Sequence, residues 1–245
     1  MHVELAPEVI FHIGFLPITN SLLTTWFAMA VIVGVAYAST RKVSLVPGKP
    51  QAIMEIVLDW IYGLGEGLSD AVRAKKFFGI VATFFIFIIF ANYLGLLPGV
   101  GTIGFYTHHG NEEIWVPLIR PMNTDLNATL ALALISVAMT HYYAISILGF
   151  GAYLSKFFSL NPVFLFVGFL EIVAEFTKLI SLSFRLFGNI FAGEALLVTI
   201  SSLFAFVLPL PFMALELLVG FVQAMIFMML TLVFMIILSE KSLSH

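Results

Sequence analysis

The chain has 245 residues, of which 61% are hydrophobic and 10% charged, and its mean hydropathy is +1.07. This composition lies far outside that of soluble globular domains and predicts an integral membrane protein. There is no cysteine, which excludes a disulfide framework, a zinc site with thiolate ligands and thiol chemistry. The net charge of −3 argues neither for nor against a nucleic-acid partner, but no basic run is long enough to bind one.

The N-terminal part begins with an acidic segment and continues into an apolar stretch. Residues 1–21 contain Glu4 and Glu8 and have no basic region, so they are not typical of a signal peptide, and we expect them to lie outside the membrane. The first span is predicted at 22–38, since that stretch is apolar and basic residues follow it. Those residues are Arg41, Lys42 and Lys49.

The next segments comprise one amphipathic stretch and two spans. Residues 51–72 carry acidic side chains at near-helical spacing and apolar residues on the other face, which predicts an amphipathic helix. Spans are predicted at 77–97 and 126–150, each long enough to cross roughly 30 Å of hydrocarbon. The histidines do not show a metal-ligand pattern with matching acids, so we expect no metal site and structural roles for His108, His109 and His141.

The last part of the chain predicts a long helical hairpin at 162–238. After Pro162 the next proline is Pro209, so one helix can continue for about 45 residues. Such a helix is roughly 70 Å long, more than twice the hydrocarbon thickness, and it must tilt steeply, lie along the membrane plane or break. We predict a single all-α membrane domain, residues 1–245, with about five transmembrane helices.

The basic residues predict the orientation of these spans. If the chain crosses five times with its N-terminus outside, the basic loops fall on the inner side and leave only Arg120 outside. We therefore expect a multi-pass protein with its C-terminus in the cytoplasm, in a bacterial plasma membrane.

Polar residues form a stripe on the long predicted helix. At 100° per residue, five of them fall within about 40° of one line, namely Glu171, Glu175, Lys178, Arg185 and Asn189. In one interpretation, the first three pair with each other near the inner surface and Arg185 snorkels to water. Arg185 lies deep in an apolar run, however, and ionisable residues inside membranes usually mark an ion path or a counter-charge.

Two further acids lie on the outer side of Arg185. Glu194 is about 13 Å from it along the helix and points to the opposite side. Glu216 shares a face of the return helix with Gly220 and Gln223. Because Glu171 and Glu175 lie on the inner side, this division predicts a proton path that one fixed positive charge interrupts.

Several segments resemble a known family. The string SFRLFGNIFAGEAL, residues 183–196, is similar to the arginine-bearing segment of subunit a of F-type ATP synthases, which is subunit 6 in mitochondria. FVQAMIFMMLTLVFM resembles the final helix of that family, and NYLGLLPG and DLNATLALAL resemble its middle helices. The resemblance extends from about Phe77 to the end of the chain.

The resemblance implies a non-catalytic stator subunit that conducts protons to a rotating ring of c subunits. It implies that Arg185 is the essential charge at the ring, with Asn189 and Gln223 as polar neighbours at that contact. The outer half-channel would contain Glu194, Glu216 and Asp125, and the inner one Glu171, Glu175 and Lys178. Relatives often have histidine where Glu216 stands. Asp125 could equally cap the helix that starts at Leu126.

The implied partners are the c-ring, peripheral-stalk b subunits, other ATP synthase subunits and membrane lipid, without a cofactor. The sequence leaves open whether the coupling ion is H⁺ or Na⁺. The main alternative is a proton- or sodium-coupled secondary transporter, which would show broken helices at its substrate site. A structural scaffold subunit would not need Arg185.

Overall fold

The computed structural model describes residues 7–14, 16–41, 43–68, 70–97, 103–109, 112–158, 162–203 and 208–240. Within these ranges the helices are α1 (Asn20–Thr40), α2 (Lys49–Leu68), α3 (Ala71–Gly95), α4 (Leu126–Leu148), α5 (Phe150–Phe157), α6 (Pro162–Leu203) and α7 (Pro209–Ser239). Two antiparallel hairpins pair β1 (Val9–Ile13) with β2 (Leu16–Thr19) and β3 (Gly104–His109) with β4 (Glu112–Pro117). A short 3₁₀ turn, Met122–Thr124, precedes α4.

Four of the described helices are long and apolar enough to cross a membrane. They are α1, α4, α7 and, within α3, the segment Val72–Gly95. The predicted all-α integral membrane fold is therefore confirmed. The prediction of about five crossings counts α6 as one more crossing besides these four.

Local sequence explains where the helices begin and end. Thr19 caps α1 by accepting a hydrogen bond from the backbone N–H of Leu22, and Asp125 caps α4 in the same way. Gly149 separates α4 from α5 with φ of 82°, in the left-handed region that glycine occupies without strain. Pro209 lies in the first turn of α7, where its missing N–H costs nothing.

Helices α3, α4, α6 and α7 form the core. Its fully buried side chains include Phe77, Ile88, Leu186 and Met235. Lipid tails are as apolar as these residues, so close packing and interhelical hydrogen bonds hold the helices together. One such bond joins α4 to α7 with 2.8 Å between the hydroxyl oxygens of Ser136 and Thr231.

Helix α6 is continuous over 42 residues, which corresponds to about 63 Å at 1.5 Å per residue. Its first turns lie so close to α5 that a Cβ atom at Gly168 would overlap the backbone carbonyl of Phe157. From Lys178 onward α6 packs antiparallel against α7, since side chains of increasing number on α6 meet side chains of decreasing number on α7. This pairing brings Asn189 together with Gln223 and places Glu216 against Gly193.

Candidate functional site

Arg185 lies near the middle of α6, on an exposed face of the chain. Its guanidinium donates a hydrogen bond of 3.1 Å to the hydroxyl of Ser181, one turn earlier on the same helix. Large apolar side chains surround it, and Ile180 and Phe184 are each more than half exposed. This arrangement presents a cation on a surface that is otherwise apolar, where a charge without a counter-charge is costly in a membrane.

A groove of about 480 Å³ extends from Arg185 along α6 and α7. Its polar lining comprises Thr177, Lys178, Ser181 and Arg185, and its apolar lining includes Leu230 and Phe234. The ammonium of Lys178 lies 4.7 Å from the centre of the Phe234 ring, in a cation–π contact. The groove is roomy and polar enough to hold water.

The amides of Asn189 and Gln223 meet across the two helices. The Asn189 side chain donates a hydrogen bond of 2.7 Å to the Gln223 carbonyl oxygen. Gln223 is buried and Asn189 is exposed, four residues beyond Arg185. The structure therefore brings these two predicted residues together beside the arginine.

Glu216 and Glu194 lie at the same level of the hairpin. Glu216 on α7 is buried, and its carboxyl group lies directly against Gly193, where any Cβ atom would overlap it. The carboxyl of the adjacent Glu194 lies next to the hydroxyl of Thr124 and within electrostatic range of Arg120. Its buried Oε2 atom has no hydrogen-bond partner among the described residues.

The 3₁₀ turn Met122–Thr124 supplies polar groups that the sequence patterns did not indicate as site residues. The Asn123 side chain donates to Asn92 on α3 at 2.6 Å, and Asn92 donates to the Gly220 carbonyl on α7 at 3.0 Å. The Arg120 side chain donates to the Thr124 hydroxyl at 3.2 Å. A signal was available for Asn92, which is an amide within a predicted span.

Asp125 is buried beside this turn and has two partners. One carboxylate oxygen accepts a 2.9 Å hydrogen bond from the Asn127 backbone and the other a 2.9 Å bond from the Ser21 hydroxyl on α1. It therefore caps α4 and ties α4 to α1. Its sequence neighbour Thr124 lies beside Glu194.

The predicted inner residues form a second group. Lys178 donates a 2.7 Å hydrogen bond to one oxygen of Glu175, whose side chain is 11% exposed. The other Glu175 oxygen lies 3.7 Å from Nε2 of His141 on α4, whose Nδ1 lies 3.0 Å from the Tyr153 hydroxyl on α5. Glu171 lies one turn before Glu175. The side chains of His108 and His109 fall outside the described residues.

Helix α5 carries two groups whose titration the surroundings change. Burial raises the pKa of the Tyr153 hydroxyl, and the negative charges of Glu175 and Glu171 raise it further. Burial lowers the pKa of the Lys156 ammonium, while Glu171 and Glu240 oppose that shift. Lys156 also donates a 2.8 Å hydrogen bond to the Leu238 carbonyl at the C-terminal end of α7, where a cation is favourable.

Comparison with known proteins relates this arrangement to one family. The family described as ATP synthase A chain matches residues 22–236. ATP synthase subunit a of Moorella thermoacetica is 32% identical over 228 residues, which cover 93% of this chain and 94% of that protein. ATP synthase subunit a 2 of a Bradyrhizobium strain is 34% identical over 232 residues, 94% of this chain and 93% of the relative. Subunit a of Gloeobacter violaceus is 33% identical over 230 residues, 94% of this chain and 87% of the relative. The chain belongs to the ATP synthase subunit a family, as its arginine-bearing segment predicts.

Proposed function

We propose that this chain is the stator subunit in the membrane sector of a rotary ATP synthase. In this role it conducts protons to and from the carboxylates of a rotating c-ring through two offset half-channels, which Arg185 separates. The observation that carries the proposal is the guanidinium of Arg185 on an exposed apolar face, because such a cation requires an anionic partner from another chain.

Charge energetics explain how the arrangement works. A neutral carboxyl group on the ring passes through lipid at little cost, whereas its ionised form costs several kcal/mol there and is stable only opposite Arg185. Rotation then requires each ring carboxyl to exchange its proton through a half-channel. One elementary charge that crosses the membrane potential supplies about 2.3 kcal/mol per 100 mV, which drives the rotation. Arginine does not lose its proton in proteins, so the positive charge at this position stays fixed throughout the cycle.

The polar groups on either side of Arg185 supply the two half-channels in this proposal. Glu194 and Glu216 line the outer one, with Asp125 near its mouth, and the inner one contains Glu171, Glu175 and Lys178. Asn189 and Gln223 form the polar part of the contact with the ring. The subunit has no catalytic chemistry of its own, and its further partners are the peripheral-stalk b subunits and lipid.

Proton flux through vesicles tests the proposal against its alternatives. We expect the purified chain in vesicles with an imposed potential to conduct only when c subunits are incorporated with it, because the ring carboxylates carry the proton between half-channels. A fluorescent pH dye inside the vesicles measures the flux. Conduction without c subunits would indicate a coupled transporter instead, and no conduction in either case would leave only a scaffold role.

The proposed orientation, with α6 as the fifth crossing, predicts which side of the membrane each exposed loop faces. The native chain has no cysteine, so single cysteines can be introduced without background. Leu45→Cys and Glu240→Cys, both at exposed positions, should react with an impermeant thiol reagent from the cytoplasmic side only. Tyr106→Cys on β3 is the matched control and should react only from the outer side. Labelling of all three from one side would contradict the orientation.

A further inference from the structure

Titratable side chains from three different helices meet where α4, α5 and α6 come together. Nδ1 of His141 lies 3.0 Å from the Tyr153 hydroxyl, and Nε2 on the opposite edge of the ring lies 3.7 Å from the Glu175 carboxylate. The imidazole therefore lies between a phenol on α5 and an acid on α6. Imidazole is the side chain that ordinarily gains and loses a proton between about pH 5 and 8.

We propose that His141 is a proton-exchanging residue of the inner half-channel, which passes protons between cytoplasmic water and Glu175. This inference rests on the proposed function and assigns a role to a residue that the sequence alone marks as structural. Its basis is the position of the ring between the two groups, which three separate helices fix.

The exposure of the side chains makes the histidine the more accessible end of this pair. The His141 side chain is 26% exposed, whereas that of Glu175 is 11% exposed and one of its oxygens is held by Lys178. Water can therefore reach the imidazole more readily than the carboxylate. A proton can therefore reach Glu175 by way of the more exposed His141.

The proton transfer balances with these groups alone. His141 begins as the imidazolium, with Nδ1–H donating to the Tyr153 oxygen and Nε2–H directed at Glu175. The Nε2–H bond breaks and an O–H bond forms on Glu175, which converts the ion pair into a neutral pair. Nε2 then takes a proton from cytoplasmic water, so one H⁺ has moved from that water to Glu175 and the ring has returned to its initial state. The 3.7 Å separation exceeds a direct hydrogen bond, so the two side chains must approach each other before the proton transfers.

The path continues from Glu175 toward Arg185. Lys178 binds Glu175 and also lines the groove that reaches Ser181 and Arg185, so water that fills the groove would connect the acid to the arginine. Other charged groups around the cluster come from α3, α5, α6 and the end of α7. They are Lys76, which donates to Ser146 on α4, and Glu171, Lys156 and Glu240.

The first experiment replaces the ring by an amide that forms hydrogen bonds but does not titrate at neutral pH. With the complete ATP synthase in inverted vesicles, where the cytoplasmic side faces the medium, ATP-driven proton pumping is measured from pH 5 to 8. We expect His141→Gln to slow pumping on the order of 100-fold, the usual contribution of a positioned acid–base group, and to flatten the pH profile. His12→Gln, at an exposed histidine on β1, is the matched control and should pump normally.

Two further variants distinguish proton exchange from support of the fold. His141→Ala should regain pumping when millimolar-range imidazole is added, as a free base can replace the missing ring. Tyr153→Phe removes only a hydroxyl and should assemble normally, yet displace the pH profile because the ring loses its Nδ1 partner. Unchanged profiles for His141→Gln and Tyr153→Phe, or His141→Ala that imidazole does not restore, would overturn the role of His141. Absence of flux that depends on c subunits in the native chain would instead refute the proposed function.

Discussion

Replacing Arg185 by alanine is expected to abolish ATP-driven proton pumping while the protein still inserts into the membrane. The guanidinium lies on an exposed face and its described hydrogen bond is to Ser181 on the same helix, so its loss leaves the helix packing intact. An ionised carboxylate at that level would lose its counter-charge, at a cost of about 2.5–3.5 kcal/mol for an acid in mid-membrane. That cost corresponds to roughly 100-fold or more in the rate of coupled transfer.

The same variant should also allow protons to leak passively. Without the fixed positive charge, a ring carboxyl can carry its proton directly from one half-channel to the other. Arg185→Lys should be a poor substitute, because the pKa of a lysine falls readily when it is buried and the charge is then lost. Thr199→Ala, at an exposed position near the end of the same helix, is the control. Normal ATP-driven pumping by Arg185→Ala would refute the proposed role.

Neutralising Glu216 is expected to slow pumping by about 100-fold without making the membrane leaky, since a positioned acid–base group contributes at least that much. Glutamine has nearly the same shape, so Glu216→Gln keeps the contact with Gly193 and removes only the ability to exchange a proton. Arg185 remains in place and still separates the two half-channels. In the same vesicles, Glu216→Gln should therefore lower the rate of proton pumping and leave passive proton leakage unchanged.

Glu194→Gln should give the same result if both acids line one outer path. Glu55→Gln, at an exposed position of α2, is the matched control and should leave both measurements unchanged. Ag⁺ is a small hydrophilic probe that reaches aqueous paths. It should inhibit proton pumping by variants that carry a single cysteine at position 194 or 216. Leakage in Glu216→Gln equal to that in Arg185→Ala, or cysteines at both positions that do not respond, would contradict a divided path.

The sequence predicts those features that depend on residues close together along one helix. The polar stripe of α6 and the cap at Asp125 follow from local spacing, and the structure has a continuous α6 and a capped α4. The arginine-bearing segment also identified the family. Apolar runs and prolines located the long helices for the same reason, since they report directly on local backbone preference.

Contacts between distant residues could not be predicted in this way. Asn92 and Gly220 are 128 positions apart, and Asn123 reaches Asn92 only because the 3₁₀ turn lies among the helices. The pairing of His141 with Tyr153 depends similarly on how α5 folds back after Gly149. Periodicity identifies a polar face, whereas the partner on the facing helix depends on the crossing geometry of the bundle.

Because α6 is one uninterrupted helix, the direction in which each side chain points and its position along the helix axis cannot change independently. Each residue advances the helix by 1.5 Å and turns it by 100°. A single residue inserted between Arg185 and Glu194 would move the acid by only 1.5 Å along the axis, but would swing it by 100° away from Thr124. An insertion or deletion of one residue in α6 therefore rotates every side chain that follows it on the helix away from its present partner.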